Sequence, residues 1–214
     1  MSMTESRVAV IADIVDSRLL TDRRAAQSAI LAAFAAVDEE APAVQPFTAT
    51  VGDEFQAVYS SVGSALEATL LARLALPAGS DCRFGFGLGT VVEVGEGSSG
   101  VIQDGSAWWS AREAIDEAHE REDARTPSLR SWFRAASPQP QLESLVNAYL
   151  LARDHVVGSM NERSRRLTYG TMTGSIQGEL AEAEGITQSA VSQALRRSGG
   201  ASLIAATEQL VEAL

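Results

Sequence analysis

Residues 7–15 (RVAVIADIV) form a short β-branched apolar run ending in acids, the pattern of a buried strand. Over residues 22–36 the period changes, and Ala26, Ile30, Phe34 and then Val37 fall on one face of an amphipathic helix. Residues 47–59 (FTATVGDEFQAVY) predict two strands joined by a tight turn at Gly52-Asp53. A second helix, rich in alanine and leucine, is expected over 62–76. Residues 82–93 (CRFGFGLGTVVE) alternate apolar residues with glycine or polar ones and read as another strand. A loop over 95–105 and a third helix over 108–121 follow.

Strand, helix, strand hairpin, helix, strand, helix is the order of an α+β sandwich of the ferredoxin-like kind. Residues 121–140, charged and then proline-bearing, read as a linker or domain edge. From Leu142 onward the strand signals stop and the pattern is helical throughout. The expectation is an α+β domain over 1–140 and a small all-α domain over 141–214.

Composition narrows the class. Hydrophobic residues make up 45% and charged residues 21%, the balance of a folded chain. A single cysteine, Cys82, excludes an intramolecular disulfide and a cysteine-rich metal site. No apolar run approaches the roughly 20 residues that span a bilayer, and no basic leader opens the chain, so a cytoplasmic location without membrane contact is expected. The net charge of -11 argues against non-specific nucleic-acid binding by the whole chain, yet leaves room for a local DNA surface. All 17 basic residues are arginine, which reads as the mark of a GC-rich genome.

Two acidic turns carry the candidate chemistry. Asp13 and Asp16 end the first strand, and Asp53 and Glu54 lie in the hairpin turn. If the strands are neighbours, these carboxylates meet at one end of the sheet, where they could hold Mg²⁺ beside phosphates. The plainer alternative is that each acid ends a strand or fixes a turn. His119 and His155 have no partner at ligand spacing, so zinc is not expected. Trp108 and Trp109 point about 100° apart on a helix, so one ring is expected in the core and the other on an interface, with base stacking as the alternative.

The wording of these motifs resembles class III nucleotide cyclases. IADIVDSR at 11–18 is similar to their first metal-binding strand, and VGDEF at 51–55 is similar to their second metal turn and to the diguanylate cyclase signature. FGFGLGTV at 84–91 resembles the strand that brings glycines near the nucleotide, and GSAWWSAREAI at 105–115 resembles the helix bearing the transition-state asparagine and arginine. The resemblance implies Asp13 and Asp53 as metal ligands and Arg112 as a phosphate contact, with Gly52, Glu54 and Trp108 beside the nucleotide. Three departures stand against turnover. Trp108 replaces the asparagine, Ala49 replaces the purine-selecting lysine, and Val51 replaces the first signature glycine. Together the motifs, above all the tryptophan pair with the Ala-Arg-Glu that follows, resemble the SatD family of bacterial proteins, whose members join such a domain to a helical C-terminal region.

Residues 176–197 (IQGELAEAEGITQSAVSQALRR) carry the pattern of a helix-turn-helix. Ile176, Leu180, Val191 and Leu195 face inward, Ala181 and Gly185 are expected to let the helices cross closely, and Thr187 caps the second helix. Gln188, Ser189, Ser192, Gln193 and Arg196 form the exposed face that reads DNA, with Arg163, Arg165 and Arg166 gripping phosphates. The alternative is an αα-hairpin used for packing. The terminal helical segment over 201–214 is expected to close the small domain or to pair with a second copy.

These readings combine into a nucleotide-responsive, DNA-binding transcription regulator with a degenerate cyclase-like sensor. Its ligand is expected to be a purine nucleotide or cyclic dinucleotide with Mg²⁺, and family habit implies a homodimer. Two alternatives stay open: an active nucleotide cyclase or nucleotidyl transferase with a dimerising tail, and a protein-interaction module with a vestigial site.

Overall fold

The computed structural model describes residues 6–17, 22–50, 52–97, 100–122 and 125–214. Its first half runs β1 (Ser6–Ile14), α1 (Arg23–Glu40), β2 (Gln45–Ala49), β3 (Glu54–Tyr59), α2 (Val62–Ala75) and β4 (Cys82–Thr90). Sheet order is β2-β3-β1-β4-β7, the last strand being Ser131–Ala135 from later in the chain, with β1 antiparallel to both β3 and β4. This is the split arrangement that the element order predicts. As the central strand, β1 is buried on both faces, which explains its unbroken apolar run. Val8, Val10 and Ala12 share a cluster with Ile30 and Phe34 of α1 and Leu66 of α2. Ala9 and Ile11 meet the opposite layer, a helix that carries Trp108, Ala111 and Ile115.

Two expectations from the middle of the chain are corrected. The segment expected as a loop is a hairpin, β5 (Val92–Gly97) paired with β6 (Gly100–Asp104), ahead of α3 (Ser106–Arg121). The segment expected as a linker holds β7 (Ser131–Ala135), a fifth strand parallel to β4. Its Phe133 is wholly buried. A run of five residues between prolines is too short for its period to stand out.

The C-terminal helices are α4 (Pro140–Ser159), α5 (Glu162–Met172), α6 (Gln177–Glu184), α7 (Gln188–Arg197) and α8 (Gly200–Ala213). Side chains of α4 satisfy the free edge of β7 in place of another strand. The Asn147 amide accepts from Phe133 N at 2.8 Å and donates to Phe133 O at 3.0 Å, while Glu143 accepts from Ala135 N at 3.0 Å. Leu70 and Leu74 of α2 share a buried cluster with Val157, Met160 and Leu203, and Tyr169 and Met172 of α5 pack on it. The core thus continues past residue 140, with Val146 and Leu150 of α4 in the same cluster as Val8 and Phe34. Helix α8 packs against α5 and α7 as well as against α2. It crosses α2 so closely that a Cβ on Gly63 would lie 2.9 Å from Val211 Cα. Among the described residues, no helix is long and apolar enough to cross a membrane.

Candidate functional site

Strand register brings the acidic turns together. Asp13 lies opposite Glu54 on β3 and opposite Arg83 on β4, at the end of β1. The β2–β3 turn is closed by Thr50 N donating to Glu54 O at 2.9 Å, and Gly52 takes φ +78°, where a side chain would be strained. From α3, Arg112 Nη2 reaches Glu54 Oε2 at 2.6 Å, while Gln56 donates to the other Glu54 oxygen at 3.0 Å. Asp13, Glu54 and Arg112 therefore meet on the α3 side of one sheet end, with Asp53 near enough for its charge to act on Asp13. Burial pushes the Asp13 carboxyl above its ordinary value; Arg83 pulls against this, and the charge of Asp53 adds to it. Arg18 and Val51, which belong to the same motifs, lie outside the described residues.

Asp13 is also one end of an alternating series of ion pairs that sequence reasoning missed. Arg83 binds Asp13 through Nη1 at 2.9 Å and Glu122 through Nη2. Glu122 pairs with Arg130 at 2.8 Å, and Arg130 donates to Asp81 at 3.0 Å. Asp81 takes Arg73 at 2.8 Å, and Arg73 reaches Asp154 at 2.9 Å, beside Arg153 at 3.2 Å. Arg73, Arg153 and Asp154 are buried almost completely, so each charge depends on these partners. Burial opposes ionisation of Asp81, but Arg73 and Arg130 overcome it and hold its carboxyl below the ordinary value. The available signal was an arginine, Arg83, inside an otherwise apolar strand.

The tryptophans divide between core and surface. Trp108 packs with Ala9, Ile11 and Val58, and its indole N–H is buried without an acceptor. Trp109 is 62% exposed and donates to Asp104 Oδ1 at 3.0 Å. The glycines of β4 lie directly against α3. A Cβ on Gly87 would lie 2.0 Å from Ala107 O, and one on Gly85 would lie 2.3 Å from Ala111 O. They make room for α3, whose Ala107, Ala111, Ala114 and Ala118 are wholly buried.

The donor set limits what a metal could do here. Among the described residues, no group of three or more His, Cys, Asp or Glu side chains could hold an ion. Asp13 and Asp53 supply two carboxylates, and Arg83 occupies only part of the lone-pair capacity of Asp13. Such a pair does not make an all-protein cage. It fits Mg²⁺ that completes its shell with phosphate oxygens and water.

In the C-terminal part, α6 ends on Gly185 with φ +63°, and Ile186 N bonds back to Ala181 O at 2.9 Å. Thr187 caps α7 by accepting from Ala190 N at 3.2 Å. Leu167, Leu180, Ala181, Val191 and Leu195 form the shared core of α5, α6 and α7, whereas Ile176, expected inside, stands at the start of α6 with 66% of its surface exposed. Gly185 makes the turn, and the close approach falls instead at Gly170, where a Cβ would lie 2.6 Å from Leu180. Gln188, Ser189, Gln193 and Arg196 are exposed on α7, with Ser192 half-buried. Arg163 and Arg166 are both turned onto Glu184, at 3.2 and 2.6 Å.

No curated protein matches the sequence. Among solved structures, a bacterial light-regulated adenylyl cyclase is similar at 17% identity and a TM-score of 0.44, covering 56% of this chain and 73% of that one. A second structure of such a cyclase is 16% identical with a TM-score of 0.42, covering 56% of this chain and 42% of the other. The adenylyl cyclase CyaB from P. aeruginosa is 12% identical with a TM-score of 0.37, covering 50% of this chain and 70% of the other. The SatD family model matches residues 7–210, nearly the whole chain, and the protein belongs to the SatD family.

Proposed function

We propose that the chain is a nucleotide-binding regulator, holding a purine nucleotide or cyclic dinucleotide with Mg²⁺ at the sheet end and offering α7 to DNA. The observation that carries the nucleotide reading is the register of β1 and β3, which sets Asp13 opposite Glu54 with Asp53 beside it. Asp13 and Asp53 would share the cation, which when bound screens phosphate charge. Gly52 has nothing within 4 Å of a hypothetical Cβ, so a phosphate can approach the backbone there. Arg112 is 48% exposed and, among the described residues, is held only by Glu54, which leaves its guanidinium able to turn onto a phosphate. Trp108, at the position where cyclases carry asparagine, is core and does not supply that residue's side-chain amide to a developing charge. The reading is therefore binding without turnover.

DNA contact rests on a separate observation, the exposed polar face of α7 behind a tight αL turn. A homodimer belongs to this reading, since helix-turn-helix modules bind half-sites in pairs. Titration of a fluorescent purine nucleotide with and without Mg²⁺ tests the first part. Mg²⁺-dependent binding lost in Asp53→Asn supports it, and steady product formation contradicts the claim of no turnover. DNA affinity measured with and without that nucleotide tests the coupling, which requires different ligand affinities in two arrangements.

A further inference from the structure

On the opposite side of the sheet from Asp13 and Glu54 lies a cleft of about 1560 Å³. One wall comes from α1 and the end of α2, and the other from α5 and α6, so the cleft lies between the helical layer on the sheet and the start of the helix-turn-helix segment. Its apolar lining includes Ala33, Leu74, Leu76, Met160, Leu167 and Leu180. Neither Asp13, Asp53 nor Arg112 borders it. Four arginines do, and three of them are already neutralised: Arg130 by Asp81 and Glu122, Arg163 and Arg166 by Glu184.

Arg165 is different. It is half-buried on α5 and has no hydrogen-bond or ion-pair partner for its guanidinium among the described residues. Burial lowers its pKa, and the attraction of Asp81 and Glu162 is opposed by Arg73. Asp16 also borders the cleft, but it is exposed and not among the charges acting on Arg165. A partly desolvated cation above an apolar floor is complementary to an apolar group bearing one negative charge. The cleft exceeds the roughly 300–1,000 Å³ of a small-molecule pocket, so size does not exclude such a ligand.

We propose that this cleft binds a small amphipathic anion, an apolar group carrying a single carboxylate, whose charge pairs with Arg165 while its tail lies on Leu74, Met160 and Leu167. The ligand touches both walls, so its binding holds α5 and α6 against α1 and α2. The site is independent of the nucleotide reading.

The test uses the full chain with anilinonaphthalene sulfonate as fluorescent reporter, competed by octanoate or octylammonium. Saturable binding displaced by octanoate and not by octylammonium is expected. Arg165→Gln should weaken octanoate by about tenfold or more, the worth of a charge-assisted hydrogen bond. Ala36→Trp, a change at an exposed position lining the cleft, should narrow it and weaken octanoate while leaving thermal unfolding intact. Absence of saturable binding, equal displacement by octylammonium, or octanoate affinity unchanged in either variant would overturn the proposal.

Discussion

Arg83 donates from Nη1 to both oxygens of Asp13, at 2.9 and 3.3 Å, and through Nη2 it also binds Glu122. The carboxylate proposed to meet a cation thus has a built-in competitor. That competitor also ties the sheet end to the chain's later elements.

Replacing Arg83 by glutamine should therefore have two effects. Folding stability should fall by about 2–3 kcal/mol, less than the full cost of breaking a buried pair because Asp13 is 32% exposed. Mg²⁺ affinity in the absence of nucleotide should rise, since Asp13 loses its rival. Urea unfolding and a Mg²⁺ titration check both, and an unchanged urea midpoint would remove Arg83 from the account of stability.

The β4 glycines give a prediction with its own control. Gly87→Ala places a Cβ 2.0 Å from a helix carbonyl, so α3 has to move. The loss should reach about 3 kcal/mol or more, the upper end for overpacking. Gly95→Ala meets nothing within 4 Å and should change stability by less than about 0.5 kcal/mol.

Unequal costs are expected from the tryptophan pair. Trp108→Ala empties a core position and should cost about 3–5 kcal/mol. Trp109→Ala removes an exposed ring with one hydrogen bond and should cost under about 1 kcal/mol. Chemical denaturation of the two variants in parallel makes the comparison, and equal losses would refute the division.

What the sequence made legible is what local chemistry encodes. Helix α1 follows from its apolar spacing and from Asp22, whose side chain accepts from Ala25 N. Thr187 and Gly185 similarly announced α7 and the turn before it. The acid pair was legible because two strand ends in one sheet bring their turns together. What escaped depends on distant partners. Arg83 meets Glu122 across 39 residues and Arg73 meets Asp154 across 81, separations at which no local period exists. Strand β7 escaped because its edge is satisfied by Asn147, a helix side chain, and not by a strand with a recognisable pattern. The β4 glycines were read toward a ligand because only the tertiary structure reveals α3 above them.

Asp81 sets an acid limit on stability. Its folded carboxyl titrates below the unfolded value of about 4, so its contribution is complete above that pH and is lost as pH falls through the lower folded value. Asp81→Asn should destabilise the protein at neutral pH by about 3 kcal/mol, because Arg73 loses a buried partner. Wild type and variant should converge as the pH drops below the folded value of Asp81. Thermal melts across pH 2–7 read this directly, and a gap that stays constant would contradict it.

The most direct test of the proposed nucleotide site is thermal unfolding of the full chain against purine nucleotides and cyclic dinucleotides, with and without Mg²⁺, in wild type and Asp53→Asn. A ligand at about 100 times its dissociation constant should add roughly 2.7 kcal/mol, a shift of a few degrees. Stabilisation of wild type by one nucleotide, dependent on Mg²⁺ and absent in Asp53→Asn, is the predicted result. No shift with any nucleotide, or an equal shift in Asp53→Asn, would contradict the assignment of Asp13 and Asp53 to a shared cation.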